Sequence, residues 1–178
     1  CSPSVAPDGD VAFSIDVNED RSAGAISAAS ASVCELVEFE QHTGWIVSRA
    51  TEINAKWGGH PWWVVDGAGP ASSLIPALTA AGLRVHSASS RDVIDACGEF
   101  YDGVLEGHFA VRSDSRMDTA VAGAAKRTVG DAFAWTRRHA LVDVSPLVAG
   151  TLALWGAVHL TAGPQRVLLL SDYLDDEE

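Results

Sequence analysis

The 178 residues carry a net charge of −12, with 47% hydrophobic and 20% charged residues; this balance excludes a disordered chain, fits one packed domain and leaves no room for a second full one. The longest apolar stretch, residues 147–160, is broken by Gly150, Thr151, Gly156 and His159 and falls short of the roughly 20 residues that span a bilayer, so no membrane partner is expected. The net charge argues against attraction to DNA by bulk electrostatics, because phosphate contacts need Lys and Arg, but its weight falls because many of the acids lie in residues 172–178 or at Asp8, Asp10, Glu19 and Asp20, and basic residues do cluster at Lys126-Arg127 and Arg137-Arg138-His139.

Residues 1–10, rich in Pro, Ser, Asp and Gly, read as an entry linker; the domain is expected over residues 11–160 and a C-terminal tail over 161–178. Residues 11–17 form a nearly continuous apolar run, the pattern of a strand buried on both faces, and the polar group at 18–22 turns the chain. Residues 24–32 and 34–41 fit two more strands, completing an antiparallel three-strand meander. Trp45, Ile46, Ala50, Ile53 and Trp57 recur at helical spacing, with Glu52 and Lys56 as a solvent-side pair.

A second apolar strand, 62–66, ends in Asp66, and Gly67-Ala68-Gly69-Pro70 turns the chain into a helix over 72–81. A short strand at 83–86 follows. A helix then runs through Val93, Cys97, Phe100 and Val104, capped by Ser89 or Ser90 and stopped by Gly107. Residues 109–112 read as a strand, 115–125 as a helix and 132–136 as a strand. The last clear element, 146–159, is a helix apolar nearly all round, with Ser145 as its N-cap and Pro146 at its first position, so it belongs at the centre of the packing. Residues 166–170 read as an edge strand or a docking segment. Strands and helices interleave after a meander, which predicts an α/β mixed sheet, antiparallel meander plus parallel strands, flanked by helices.

Three acids stand in unusual settings. Asp16 ends one buried strand, Asp66 ends another, and Asp143 precedes the apolar helix. A carboxylate at the end of an apolar strand is costly to desolvate unless a cation, a donor or water meets it, and strand C-terminal edges are where sites form in such sheets. Adjacent strands would bring Asp16 and Asp66 together, with Asp143 near the positive end of the last helix. Such a cluster suits two Mg²⁺ or Mn²⁺ ions, as in two-metal phosphoryl transfer. Lys126, Arg127, Arg137 and Arg138 are candidates for DNA phosphate contacts. Cys1, Cys34 and Cys97 form neither a close pair nor a zinc spacing and are expected to be reduced thiols, and the six His show no zinc-ligand spacing either. The adjacent Trp62 and Trp63 are expected to point to opposite faces of their strand. No G-x-S-x-G elbow supports a Ser-His-Asp hydrolase.

Beyond these residues, Phe13-Ser14-Ile15-Asp16, Val64-Val65-Asp66-Gly67-Ala68-Gly69-Pro70-Ala71-Ser72-Ser73-Leu74, Ala96-Cys97-Gly98-Glu99-Phe100-Tyr101-Asp102, Gly130-Asp131-Ala132-Phe133-Ala134-Trp135-Thr136-Arg137-Arg138 and Val142-Asp143-Val144-Ser145-Pro146-Leu147-Val148-Ala149 occur in an order that resembles the nuclease half of the large terminase subunit of tailed phages, of the actinobacterial-phage type. The resemblance runs over residues 11–156. It implies an RNase H-like fold and a metal-dependent endonuclease that cuts concatemeric DNA during packaging. By position it assigns metal binding and catalysis to Asp16, Asp66 and Asp143, with Asp131 as a competitor for the third place. It also implies double-stranded DNA as substrate, an N-terminal ATPase motor, portal and small terminase subunit as partners, and the host cytoplasm as location. No G-x-x-x-x-G-K-[ST] loop is present, which, with the start at Cys1, leads to the expectation of a fragment lying after the motor. A resolvase-type nuclease and a non-catalytic binding or assembly module of the same fold are the alternatives.

Overall fold

A computed structural model describes residues 6–138 and 141–161. The expected strand and docking segment at 166–170 and most of the tail lie outside the described residues.

The apolar run near the start forms β1 (Ala12–Val17), every residue of which is buried. β2 (Ala23–Ala29) and β3 (Val33–Gln41) complete the antiparallel meander, with a register shift between Ile26 and Ser27. After α1 (Ile46–Trp57), β4 (Trp62–Asp66) pairs parallel with the other edge of β1. A 3-10 turn, Pro70–Leu74, runs into α2 (Ile75–Ala80), and β5 (Arg84–Ala88) lies parallel beside β4. α3 (Ser90–Glu106) crosses to β6 (Ala110–Val111), which pairs parallel with β3. α4 (Ser115–Ala122) follows. A separate hairpin of β7 (Lys126–Val129) and β8 (Ala132–Trp135) comes next, and α5 (Ser145–His159) closes the described chain. The six-stranded order is β5-β4-β1-β2-β3-β6, the mixed sheet that the sequence pattern predicts.

The two faces of the sheet are sorted by alternation along β1 and β4. Phe13, Ile15, Val17, Trp63 and Val65 pack with α1 and α2, where the Phe13 and Trp63 rings stack 4.7 Å apart. Ala12, Trp62 and Val64 face α5 and α3. Trp62 and Trp63 therefore do point to opposite faces. By the same alternation Asp16 and Asp66 belong to the α5 face, and because Ile15 is in register with Val65 the two acids occupy adjoining positions on neighbouring strands.

α5 lies directly on β1 and β2. Nearly all of it is buried, as its all-round apolar sequence requires. Its glycines let it come close: a Cβ at Gly156 would stand 2.6 Å from Val64 Cγ2 and 3.1 Å from the Ala12 Cβ. Gly156 meets the start of β1, whereas Asp143, just before the helix, meets Asn18 just after β1. The helix thus runs against the strand direction, with its positive end at the strand ends that carry the acids.

Four local expectations change. Ser145 is the first helical residue and not the cap; its backbone N–H donates to Asp143 Oδ1 at 2.8 Å, so the acid two positions back satisfies the helix end while the buried Ser145 hydroxyl has no partner. Glu52 pairs with Arg49 one turn earlier and not with Lys56, because Arg49 also reaches Glu38 on β3. Lys126 and Arg127 lie on a strand that the sequence pattern does not predict, β7, since Gly130, at φ 60°, and Asp131 form a tight turn that folds them back onto β8. The helix expected to reach residue 125 stops at Ala122, because the backbone beyond Gly123 turns into β7. At α3, Ser89 is the cap, in a capping box with Asp92, and Gly107 ends the helix in the left-handed conformation, as expected.

Candidate active site

The C-terminal ends of β1 and β4 place Asp16 and Asp66 side by side, 0% and 8% exposed at the side chain. Between them sits the guanidinium of Arg137, two residues beyond the end of β8. Its Nη2 donates to Asp16 Oδ1 at 2.7 Å and to Asp66 Oδ2 at 3.3 Å, and its Nε to Asp16 Oδ2 at 3.4 Å. Arg137, a candidate for DNA phosphate contact in the sequence, is only 18% exposed. Burial pushes the Asp16 carboxyl up to about 6; the pull of Arg137 offsets part of that effect, and the neighbouring Asp66 adds to it. Burial also works against the charge on Arg137, but Asp16 and Asp66 outweigh it and hold the guanidinium above its ordinary value.

Asp66 is fixed from behind. Its Oδ1 accepts from the Ala68 backbone N–H at 3.0 Å, a side-chain turn typical of Asp at the start of a loop. Gly69 is required there, because a Cβ would fall 2.6 Å from Asp66 Oδ2. The rim is tied together by Arg21, whose Nη1 donates to the Pro70 carbonyl at 2.6 Å.

Asp143 approaches from α5 but is committed elsewhere. Its Oδ1 takes the Ser145 N–H, and its Oδ2 accepts from Asn18 Nδ2 at 2.8 Å. Asn18 in turn accepts the Ala23 N–H through Oδ1 at 3.1 Å, so it links the β1 to β2 turn to the head of α5. In the sequence Asn18 reads as a plain turn residue. Its place two positions after Asp16, at the end of a buried strand, was the available signal. Asp131 lies exposed in the turn of the β7 and β8 hairpin, with all of β8 between it and Arg137.

The basic candidates divide. Arg138 is 81% exposed and faces Glu19 at 3.4 Å. Arg127 is exposed on β7. Lys126, also exposed, sits over the Tyr101 and Phe133 rings, 3.1 and 4.2 Å from their centroids, a cation–π seat.

Two clefts flank Arg137. One, about 500 Å³, is lined by Asn18, Glu19, Asp20, Asp143 and Ser145. The other, about 560 Å³, is lined by Ala68, Gly69, Pro70, Arg127, Trp135 and Arg138. Among the described residues no three His, Cys, Asp or Glu side chains are grouped as a metal site. Two carboxylates converge, and a guanidinium stands where they meet. The donor set nevertheless suits a hard divalent cation: oxygen ligands on a strand edge that already hold a positive charge between them.

No family model and no curated protein matches the sequence. Solved structures do. The large terminase nuclease from thermophilic phage G20c superposes with a TM-score of 0.62 at 16% identity, over 83% of each chain. The nuclease domain of the large terminase subunit gp2 of bacterial virus Sf6 gives 0.60 at 9%, over 85% of this chain and 90% of that one. The large terminase nuclease domain of Thermus phage P74-26 gives 0.57 at 14%, over 83% and 80%. The G20c nuclease has also been solved with bound magnesium, cobalt and zinc. With its six-stranded mixed sheet flanked by helices, this chain has the RNase H-like fold of phage large terminase nuclease domains.

Proposed function

We propose that this domain is a divalent-metal-dependent DNA endonuclease of a phage DNA-packaging large terminase, cutting by two-metal phosphodiester hydrolysis. The observation that carries the reading is the convergence of Asp16 and Asp66 at the ends of two adjoining buried strands on one shared cationic group, the Arg137 guanidinium. The likeness to terminase nucleases, one of them solved with magnesium, supports it.

Asp16, whose two oxygens both face the position that Arg137 now occupies, would hold the ions together with Asp66 and Asp143. Asp143 is favoured over Asp131 because it lies at the head of α5 beside Asn18, whereas Asp131 sits in an exposed turn. When bound, two Mg²⁺ or Mn²⁺ ions supply Lewis-acid stabilisation of the phosphate and a lowered pKa for the attacking water. The chain's own part is to hold these carboxylates rigidly, through the Ala68 and Ser145 N–H groups, and to offer Arg127 and Arg138 to the DNA backbone beside the site. In the full protein the domain would work with an ATPase motor, the portal and the small terminase subunit, in the host cytoplasm, with residues 1–10 as a linker and 161–178 as a tail.

A second reading, a non-catalytic binding or assembly module, is favoured by the one fact that among the described residues only two carboxylates converge and an arginine offsets part of their charge. Plasmid nicking separates the two. The nuclease is expected to nick and linearise supercoiled DNA in Mg²⁺ or Mn²⁺ and to stop in EDTA; Ca²⁺, with its looser geometry, supports the reaction poorly. Cutting that persists in EDTA contradicts the metal mechanism.

A further inference from the structure

Arg137 is an unusual residue to find in a site that is to bind cations. A guanidinium cannot be neutralised by losing its proton, and here it is buried with three hydrogen bonds to two carboxylates. Two negative charges against one positive leave the buried cluster with one uncompensated negative charge, so it still attracts a cation. The residue also lines both clefts at once, the acidic one that holds Asp143 and the basic one that holds Arg127 and Arg138. Its backbone position is set by Thr136, whose N–H donates to the Ala125 carbonyl at 2.9 Å at the foot of the hairpin. The long side chain beyond that anchor can change partners without disturbing the sheet.

We infer that Arg137 is the exchangeable counter-cation of this site. In the metal-free protein it keeps Asp16 and Asp66 side by side, and on metal loading it yields them to the ions and turns into the basic cleft beside Arg127 and Arg138, where a DNA phosphate is its next partner. This rests on the metal reading above. Its consequence is order: the guanidinium is engaged with carboxylates until the ions arrive, so full phosphate affinity develops only in the loaded site. A charge-assisted pair is strong enough to make the exchange cost measurable.

The test is Mn²⁺ titration, followed by the loss of the free-ion electron paramagnetic resonance signal, on wild type, Arg137→Ala, Arg137→Gln, Arg127→Ala and Asp16→Asn. With the competitor gone, Arg137→Ala and Arg137→Gln are expected to bind Mn²⁺ about tenfold more tightly than wild type. Arg127→Ala, which removes an equal charge from the same cleft, is expected to stay within about twofold. Unchanged or weaker binding in both Arg137 variants overturns the inference, and leaves the metal reading standing if wild type binds and Asp16→Asn does not. Absence of binding in wild type and the Arg137 variants alike overturns both. Should the variants fail to fold, the wild-type Arg137 Nε–H resonance gives the same answer. It is expected to be protected from exchange in EDTA and to lose that protection in saturating Ca²⁺, and retained protection refutes the exchange.

Discussion

Replacing Asp16 by Asn is expected to lower DNA cleavage by about a thousandfold or more while leaving the fold intact, because a catalytic metal supplies several kcal/mol of transition-state stabilisation. Asn keeps the shape and one acceptor oxygen for Arg137 but removes the charge that both ions would share. The stability change should run the other way. Burial outweighs the pull of Arg137 and pushes the Asp16 carboxyl up to about 6, so at neutral pH the folded protein holds this charge at a cost that the unfolded chain does not bear. A group with a raised carboxyl pKa favours folding at low pH and loses that contribution as pH rises through the folded value. The neutral Asn escapes the loss. In EDTA at pH 7.5 the variant is therefore expected to melt at or above the wild-type temperature, measured by circular dichroism. Undiminished plasmid cutting by Asp16→Asn rules out its proposed role, whatever the melting result.

Asp16 and Asp66 were legible as a pair because each ends a run of apolar residues too continuous for anything but a strand buried on both faces, and two such strands pack at the centre of a mixed sheet. The α5 helix was legible for the same reason. What escaped the sequence were elements whose identity depends on a partner. β7 carries Lys126 and Arg127, exposed and without apolar alternation, and exists as a strand because β8 pairs with it. Arg137 follows a strand end and reads as a residue for DNA phosphates. Nothing local says that its side chain points inward; that depends on two carboxylates more than 70 residues away. Ser145 and Asp143 are both good capping residues, and only the backbone conformation decides that Asp143 does the work.

The largest stability effect is expected at Gly156. Substitution by Leu would drive a branched side chain into Val64 and Ala12, which sit on the two strands that carry the acids. Neither can yield: Ala12 has no rotamer to change, and both strands are buried on both faces. Overpacking of this kind typically costs about 1–3 kcal/mol and occasionally more, and here the upper end is expected because the contact is with the sheet itself. α5 would lift from β1 and β4, carrying Asp143 away from Asp16. Gly156→Leu should thus melt well below wild type in chemical denaturation and also lose cleavage, whereas Val158→Leu, at a position 41% exposed only two residues on, should change neither. Equal stability of Gly156→Leu and wild type would show that α5 does not rest on the sheet through this residue.

The most direct test of the central claim is a crystal of this domain soaked in Mn²⁺ and measured at the manganese absorption edge. The account predicts anomalous density against the Asp16 and Asp66 carboxylates, with the Arg137 guanidinium moved away from them. Saturating Mn²⁺ that leaves no anomalous peak there, with Arg137 still bridging both aspartates, would contradict it.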